Sequence, residues 1–370
     1  MTMTLVERDL ASFFRVPFEV YGESSPYVSP LKDDIARMLD DKKNPFFKSG
    51  EATYYTAVVD GQPRGRIVCH VHHACNVRWG EKAASFGFFD CANDEVIARA
   101  LLAKAEAHAR GWGCTLLRGN MNLTAAQECG VVVGGFEHAP CVAQVWNPPH
   151  IPTLLEASGF RGVYPMTTFI GRQAVLQRDW DATLQDKSKA ILADPAYKIR
   201  TANMKDYQNE VQRIREVLND AMHDNRLFVD ITPAEMEFQL GPYQSVMDPN
   251  LVWIAEHNGV PVGATLCAPD LNPLLREMKS RVTPLSALTF LRKRRKMKGA
   301  SVVIIIVKKA YQAKGVIGVL NAELMKALVR GKYEYIAGTW IADVNRPSLR
   351  QAELFGMDKL HRADIFEKAL

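Results

Sequence analysis

The chain has 370 residues, which is long enough for two domains because a domain usually contains about 100 to 200 residues. Apolar residues make up 47% and charged residues 24%, a composition that excludes disordered and fibrous proteins. The longest apolar run, residues 302–307, is far too short to span a membrane, and the first residues lack the basic start of a signal peptide. We therefore expect a cytoplasmic protein.

Seven cysteines are scattered along the chain without a Cys-x-x-Cys pair, which is typical of reduced thiols rather than disulfides or structural zinc. The densest group of potential ligands is residues 69–75, where His70 and His72 share one face of a predicted strand. The sequence offers no matching ligand set elsewhere, so we predict no metal.

The two halves of the chain repeat each other. Residues 54–65 predict a β-hairpin with an Asp-Gly turn, and residues 252–263 predict the same hairpin with an Asn-Gly turn, 198 positions later. Asn147 and Asn345, also 198 apart, each precede proline and a predicted helix. We therefore predict two related domains, residues 1–172 and 196–370, joined by a linker at residues 173–195.

Each half is predicted to contain a hairpin, a central apolar strand, a long helix, a further strand and a capped helix. The central strand and long helix span residues 84–90 and 94–110 in the first half, and 302–307 and 315–330 in the second. This mixture predicts an α/β or α+β fold in which each domain has a mixed central sheet flanked by helices.

The loop between the second central strand and its helix has the features of an anion site. Gly315 and Gly318 would let the backbone approach a ligand, and the unpaired N–H groups of the first helical turn would face it. Lys308, Lys309 and Lys314 add positive charge. An ordinary basic loop before a helix is the alternative interpretation.

The equivalent loop of the first half carries acidic residues instead. Asp90, Asp94 and Glu95 would repel a phosphate, although Asp94 and Glu95 suit a helix N-terminus with nothing bound. We therefore expect only the second half to bind an anion, with the first half acting as a scaffold or supplying part of an acceptor pocket.

Over nearly its whole length the chain resembles tandem proteins of the GNAT acyltransferase superfamily. The acyl-CoA loop of that family follows Arg/Gln-x-x-Gly-x-Gly/Ala, of which Gln312 and Gly315 match two fixed positions and Ile317 departs from the third. The resemblance implies an N-acyltransferase that takes acyl-CoA, or an acyl carrier protein, as donor and needs no metal. The residues that it implies for acyl-CoA binding are Val307, Gln312, Ala313, Lys314, Gly315, Val316, Ile317, Gly318 and Asn345.

The second half also contains an insertion, residues 271–299, that the first half lacks. Its residues 276–298 hold nine Lys or Arg and one Glu beside an apolar stretch. Such a segment can lie on an anionic membrane, where each basic residue contributes about 1 kcal/mol. We predict a peripheral position on the inner membrane; a solvated loop anchored in the core is the alternative.

A membrane-bound acyltransferase implies a lipidic amine as acceptor. In this layout the chain resembles the bacterial ceramide synthases, which N-acylate a sphingoid base with a fatty acyl thioester. One alternative is acetylation of a small amine or amino acid. Another is a non-catalytic protein that binds CoA or nucleic acid, although the basic stretch lacks interleaved aromatic residues, so we expect no nucleic acid.

Transfer to an amine requires a base and groups that position the acceptor. Asp343 is the first candidate for the base and Glu128 the second; a residue before a helix cap and an ordinary loop carboxylate are their structural alternatives. Asn120 and Asn122 are candidates for acceptor binding, although asparagine is common in turns. Trp340 is predicted to line the pocket, unless it only packs in the core.

Overall fold

The computed structural model of the protein describes residues 2–124, 128–244, 246–281, 292–293 and 297–370. The strands are β1 Met3–Glu7, β2 Gly50–Val59, β3 Gln62–His72, β4 Ala83–Cys91, β5 Leu116–Gly119, β6 Val131–Gly134, β7 Arg161–Gly162, β8 Met166–Arg172, β9 Tyr197–Thr201, β10 Val252–His257, β11 Val260–Pro269, β12 Gly299–Val307, β13 Tyr335–Ala342, β14 Asp358–Asp364 and β15 Phe366–Ala369. The helices are α1 Leu10–Val20, α2 Lys32–Met38, α3 His73–Trp79, α4 Glu95–Gly111, α5 His150–Ala157, α6 Gln173–Leu176, α7 Asp186–Ala193, α8 Tyr207–Met222, α9 Pro233–Leu240, α10 Asn272–Glu277, α11 Val316–Arg330 and α12 Arg346–Leu354. Short 3₁₀ turns connect several of them.

Both predicted hairpins are present, and their turns have the same backbone conformation. Asp60 and Gly61 have φ values of 48° and 81°, and Asn258 and Gly259 have values of 50° and 77°. Positive φ at both central residues is what a two-residue hairpin turn requires. The repeat seen in the sequence therefore corresponds to a repeat in structure.

The central strand and the long helix after it also pack alike in the two halves. Each hairpin brings a glycine against that helix, where a Cβ atom on Gly65 would lie 2.7 Å from Leu101 and one on Gly263 would lie 2.9 Å from Val316. These glycines let α4 and α11 approach their sheets closely. The apolar cores on these faces bury the inward sides of both helices.

The strands form two mixed sheets that exchange strands between the halves. The order is β1-β2-β3-β4-β5-β15-β7 in the first sheet and β6-β14-β8-β13-β12-β11-β10-β9 in the second. The last strand, β15, thus completes the sheet of the first half, and β8 completes that of the second. The predicted division into two domains, with a linker at residues 173–195, therefore stays a prediction. Neither sheet is built from the strands of one half alone.

The chain crosses between the sheets four times, and three of these crossings lie together. These three are residues 120–124 and 128–130, between β5 and β6, residues 163–165, between β7 and β8, and Ile365, between β14 and β15. The fourth, residues 135–160, joins β6 to β7. The second and third of the three are hydrogen-bonded, since the Val163 N–H donates to the Ile365 oxygen at 2.9 Å. One apolar cluster joins all three: Met121, Cys129, Tyr164, Met166, Leu227, Trp340, Ala342, Ala363 and Ile365. We call it the junction cluster.

The two asparagines predicted to begin helices behave differently. Asn345 caps α12, because its side chain accepts from the Ser348 N–H at 3.3 Å. Asn147 does not cap α5: its side chain accepts from the Val132 N–H at 2.7 Å and donates to the Val132 oxygen at 3.1 Å. The predicted cap at Asn147 is therefore wrong, since this asparagine is used to hold β6. In the described part of the chain, no helix has the length and apolar character needed to cross a bilayer.

Candidate functional site

The loop after β12 leads into α11 through a left-handed glycine. Gly315 has a φ of 100°, a conformation that favours glycine, and α11 starts at the next residue. No side chain in the described residues caps this helix, and its first-turn N–H groups have no carbonyl partner within the helix. Gln312, Ala313 and Lys314 are exposed beside it. The site can therefore attract an anion through both the helix dipole and nearby charge.

The linker helix α7 covers one side of this loop. A Cβ atom on Gly315 would lie 2.6 Å from the Lys187 carbonyl carbon, and one on Gly318 would clash with Ser188 Oγ. Ser188 Oγ donates to the Gly315 oxygen at 2.9 Å, and Lys187 Nζ donates to the Ala313 oxygen at 3.1 Å. The sequence predicted that these two glycines would let the backbone approach a ligand. In the structure they let the backbone approach α7.

The loop is held in place by its own side chains. Gln312 Nε2 donates back to the Val307 oxygen at 3.1 Å, and Tyr311 Oη lies 3.1 Å from His257 Nδ1. Lys309 pairs with Asp224 at 2.6 Å, so part of its charge is neutralised. Lys314 lies over the ring of Tyr311. A preformed loop of this kind binds a ligand with little loss of chain entropy.

The equivalent helix of the first half is already capped. The Asp94 side chain accepts from the N–H groups of Val96 and Ile97 at 2.8 and 3.3 Å. Its carboxylate thus lies where a phosphate would have to bind, and two of the free N–H groups are used. This arrangement supports the prediction that only the second half binds an anion.

A gap opens between β12 and β13 beside the anion loop. The parallel pairing covers Gly299–Val302 on β12 and four residues of β13, and the strands then separate. Thr339 Oγ1 donates to the Val303 oxygen at 3.4 Å, so the carbonyl of Val303 faces β13. Since alternate residues of a strand point their main-chain groups to the same side, Val303 and Ile305 both face the gap. Beyond Val302, the main chain of β12 on this side is therefore not paired with β13.

The first sheet crossing brings Glu128 into this region. Trp340 of β13 is half-buried and packs in the junction cluster with Cys129. Glu128 Oε2 accepts from Asn122 Nδ2 at 3.2 Å, and the Asn122 N–H donates to the Glu128 oxygen at 3.0 Å. Four of the predicted site residues therefore lie in one neighbourhood, because Asn120 and Asn122 belong to the same crossing.

The two asparagines also support β4. Asn122 Oδ1 accepts from the Phe88 N–H at 2.8 Å, and Asn120 Oδ1 accepts from the Phe89 N–H at 3.2 Å. Asn122 thus joins the central strand to Glu128. These contacts favour a positioning role for both side chains over the predicted direct contact with an acceptor.

Burial raises the pKa of Glu128 to about 7, while the hydrogen bond from Asn122 and the charge of Arg66 oppose that rise. Arg66 is fully buried and donates to Asp90 at 2.6 Å and to the Tyr27 hydroxyl at 2.9 Å. Asp90 opposes the effect of Arg66 on the pKa of Glu128, and burial has the largest effect. A pKa near 7 suits a group that accepts a proton at neutral pH. The sequence could not reveal this, because burial of Glu128 depends on the junction of the sheets.

Asp343 is in a different electrostatic environment. Its two oxygens accept from Arg362 at 2.7 and 2.6 Å, and this hydrogen-bonded pair lowers the pKa of Asp343. A carboxylate held in this way binds protons weakly, so Asp343 is poorly suited to act as a base. Its position after β13 was read from the sequence, but its partner on β14 was not apparent there.

Other candidate residues have structural roles. Burial raises the pKa of Cys129 to about 12, so its thiol stays protonated and is a poor nucleophile. Burial lowers the pKa of His70 to about 4, and its Nε2 lies 2.9 Å from the Met121 oxygen. Among the described residues, no group of three or more His, Cys, Asp or Glu is placed to hold a metal ion.

Residues 282–291 and 294–296 of the basic insertion lie outside the described residues. Its described cations are partly paired: Lys293 with Glu277 at 2.5 Å and Lys279 with Glu23 at 3.2 Å. Such exposed pairs contribute only about 0–1 kcal/mol and exchange readily for other anions. Contact with a membrane stays a prediction.

Comparisons with known proteins agree with this architecture. No family model matches the chain. It is 26% identical to the bacterial ceramide synthase of Caulobacter vibrioides over 372 residues, covering 98% of this chain and 95% of that protein. It is 24% identical to protein YghO of Escherichia coli over 375 residues, covering 99% and 94%. The solved tandem GNAT protein from the clavulanic acid biosynthesis pathway has a TM-score of 0.62 at 13% identity, covering 100% of this chain and 98% of that chain.

The chain has the tandem GNAT fold. The predicted fold class is therefore confirmed, as is the resemblance of almost the entire chain to tandem GNAT proteins. Within this fold the two GNAT units differ in the loop after the central strand, where one helix begins with an uncapped glycine and the other with a capping aspartate. The acyl-CoA contacts proposed for the second unit, including Asn345, stay predictions.

The contact between α7 and the anion loop can be tested with two substitutions. Gly318→Ala should lower the free energy of unfolding by about 1–3 kcal/mol, because the new Cβ atom overlaps Ser188 Oγ. In a Ser188→Ala background the same change should cost little, since the overlapping atom is gone. Chemical denaturation of the four proteins measures this; an equal cost in both backgrounds would contradict the contact.

Proposed function

We propose that the chain is a GNAT-type N-acyltransferase that transfers an acyl group from acyl-CoA to a long-chain amine. The observation that carries this proposal is the uncapped, glycine-opened start of α11, which follows the end of β12, where β12 no longer pairs with β13. A carboxyl of raised pKa, Glu128, precedes Cys129 of the cluster that contains Trp340 of β13. The similarity to a bacterial ceramide synthase over 98% of the chain supports the N-acyltransferase and the lipidic acceptor. The donor class, CoA, is supported by the tandem GNAT fold.

In the proposed complex the pyrophosphate of CoA binds the first-turn N–H groups of α11, with Lys314 and Lys187 nearby. The thioester arm then extends along the gap, where the main chain of β12 at Val303 and Ile305 is available to it. N–H groups that point into such a gap can stabilise the negative charge that develops on the thioester oxygen.

Glu128 takes the role that the sequence first suggested for Asp343. The acceptor enters as an ammonium, and Glu128 removes one proton so that the nitrogen lone pair can attack the thioester carbonyl carbon. A C–N bond forms, the C–S bond breaks, and CoA leaves as a thiolate that takes up a proton. A carboxyl with a pKa of about 7 is half ionised at neutral pH, whereas Asp343 remains paired with Arg362.

Turnover tests the reaction directly. Purified protein incubated with a long-chain amine and acyl-CoAs of increasing chain length should form the amide and release free CoA, with long acyl chains preferred over acetyl. Product mass spectrometry and thiol release measure this. Preference for acetyl-CoA with a small amine would favour the alternative acetyltransferase, and the absence of thiol release with every amine would end the proposal.

The pH profile tests the base. We expect kcat/KM to rise with pH through about 7, because Glu128 is protonated and inactive below its raised pKa and ionised above it. Glu128→Gln should lower kcat by about 10²–10⁴-fold and remove this rise. The variant should be at least as stable as the native protein at pH 8, since it removes the cost of ionising a buried carboxyl.

Asp343→Asn is the matched carboxylate control for this experiment. It should keep the rise near pH 7 and most of kcat, although it loses the ion pair with Arg362. If Asp343→Asn abolished the pH dependence and Glu128→Gln did not, the roles of the two carboxylates would be reversed.

Membrane contact has its own test. Replacing residues 292–296 with glutamine should abolish co-sedimentation with vesicles of phosphatidylcholine and phosphatidylglycerol, because that sequence supplies five neighbouring charges. A control with the same change in net charge replaces five exposed cations elsewhere: Lys42, Lys43, Arg99, Arg110 and Lys205. Binding that survives in the first variant, or is lost equally in both, would count against a membrane role for the insertion.

A further inference from the structure

A cavity lies where the first two helices of the chain meet the base of the insertion. Its volume is about 330 Å³, which is the size of pocket that small ligands occupy. Residues of α1 line one side, residues at the start of α2 line a second, and Arg281 of the insertion lines a third. The proposed acyl transfer uses none of these residues, so the cavity is a separate candidate site.

The base of the insertion is fixed against the first half by hydrogen bonds. Ser280 is only 1% exposed, and its Oγ donates to the Ser29 oxygen at 2.5 Å. The Lys32 N–H donates to the Ser280 oxygen at 3.3 Å. Arg281 follows Ser280 directly, so the main chain of α2 and the main chain of the insertion meet at this bond. Lys32 and Arg281, one from each half of the chain, are therefore brought to the same cavity.

The side chains that line the cavity carry an excess of positive charge. Arg15, Lys32 and Arg281 are cations, and Asp33 is an anion. Among the described residues, the ammonium of Lys32 has no hydrogen-bond or ion-pair partner. Arg15 pairs with Glu19 at 2.8 Å, but both side chains are exposed, and such a pair contributes little. The cavity is therefore suited to an anionic group.

The remaining lining is apolar and continues onto the surface of α1. Phe14 and the half-buried Leu31 form this wall, and the guanidinium of Arg281 lies 5.8 Å from the centre of the Phe14 ring. Phe14 also packs on Phe18, with ring centres 5.2 Å apart, and Phe18 is 37% exposed. A bare anion would leave the exposed part of this wall in water, whereas hydrocarbon attached to the anion would cover it. The combination is typical of a site for an amphiphile with an anionic head.

We propose that this cavity binds the phosphate-bearing head of a phospholipid. The phosphate oxygens accept hydrogen bonds from Lys32 and Arg281, and a guanidinium can bind a phosphate through two parallel bonds. The first carbons of the lipid lie along the apolar wall towards Phe18. The site goes beyond the proposed acyl transfer, because it attaches the base of the insertion to a lipid surface and takes no part in the reaction.

Calorimetry with a short-chain phospholipid tests the site without a membrane. Dihexanoylphosphatidic acid below its micelle concentration should bind native protein one to one. It should bind at least about tenfold more tightly than inorganic phosphate, because only the lipid covers the apolar wall. Equal affinities would overturn the lipid and indicate a site for free phosphate, and no binding of either would overturn the site itself.

Lys32→Met tests whether the lipid is bound in this cavity. The change keeps a long side chain, removes the ammonium and should weaken lipid binding at least about fivefold, since a charge-assisted hydrogen bond is lost. Lys42→Met is the matched control at an exposed lysine outside the cavity, and it should leave binding unchanged. Unchanged binding in Lys32→Met would overturn the assignment.

Competition with CoA separates this cavity from the proposed donor site. CoA should leave lipid binding unchanged, because the loop before α11 is not part of the cavity. Displacement of the lipid by CoA would place the lipid at that loop and overturn the assignment. The measurement needs no turnover, so a failed transferase assay would not change its outcome.

Phe18→Ser tests the course of the hydrocarbon. It should reduce the ratio of lipid affinity to phosphate affinity several-fold, because less apolar surface remains for the lipid to cover. Val77→Ser, at an apolar residue that is 83% exposed outside the cavity, is the control and should keep the ratio. The ratio does not depend on how much protein is folded. The same ratio in Phe18→Ser and native protein would overturn the apolar wall as part of the site.

Discussion

Three of the four crossings between the sheets meet at the junction cluster, and this meeting is the constraint on which the rest of the structure depends. Each crossing joins strands of different sheets, and residues from all three of these crossings pack together in the apolar junction cluster. Glu128 lies on one crossing and Trp340 packs against it, which brings a carboxyl of the first half to a strand of the second. A site at such an interface needs both halves, because neither sheet is complete without the other's strand.

The duplicated fold also explains how two similar halves have different roles. In both halves a strand leads through a short loop to a helix whose first N–H groups lack partners. Asp94 satisfies two of them in the first half, whereas Gly315 has no side chain to do so in the second. A single difference of residue type at the start of a helix thus decides whether its first N–H groups are capped by a side chain.

Local patterns in the sequence predicted the local parts of this architecture. Turns, helix caps and apolar runs depend on neighbouring residues. The sequence therefore predicted the hairpins, the central strands and the starts of α4 and α11. The exchange of strands between the sheets could not be predicted, because the sequence of β15 is compatible with either sheet. For the same reason, the sequence did not show why residue 318 is a glycine. Its lack of a Cβ atom leaves room for Ser188, a linker residue that is far away in the sequence.

The comparison of Asp343 with Glu128 shows the same limit for chemistry. Both are carboxylates near predicted strand ends, and nothing local distinguishes their affinity for protons. Arg362 comes from another strand and stabilises the ionised form of Asp343, whereas the converging crossings bury Glu128 and disfavour its ionised form. Proton affinity is thus set by residues that only the fold brings near, and the carboxyl whose pKa is raised to about 7 is the one that the sheet crossing partly withdraws from water.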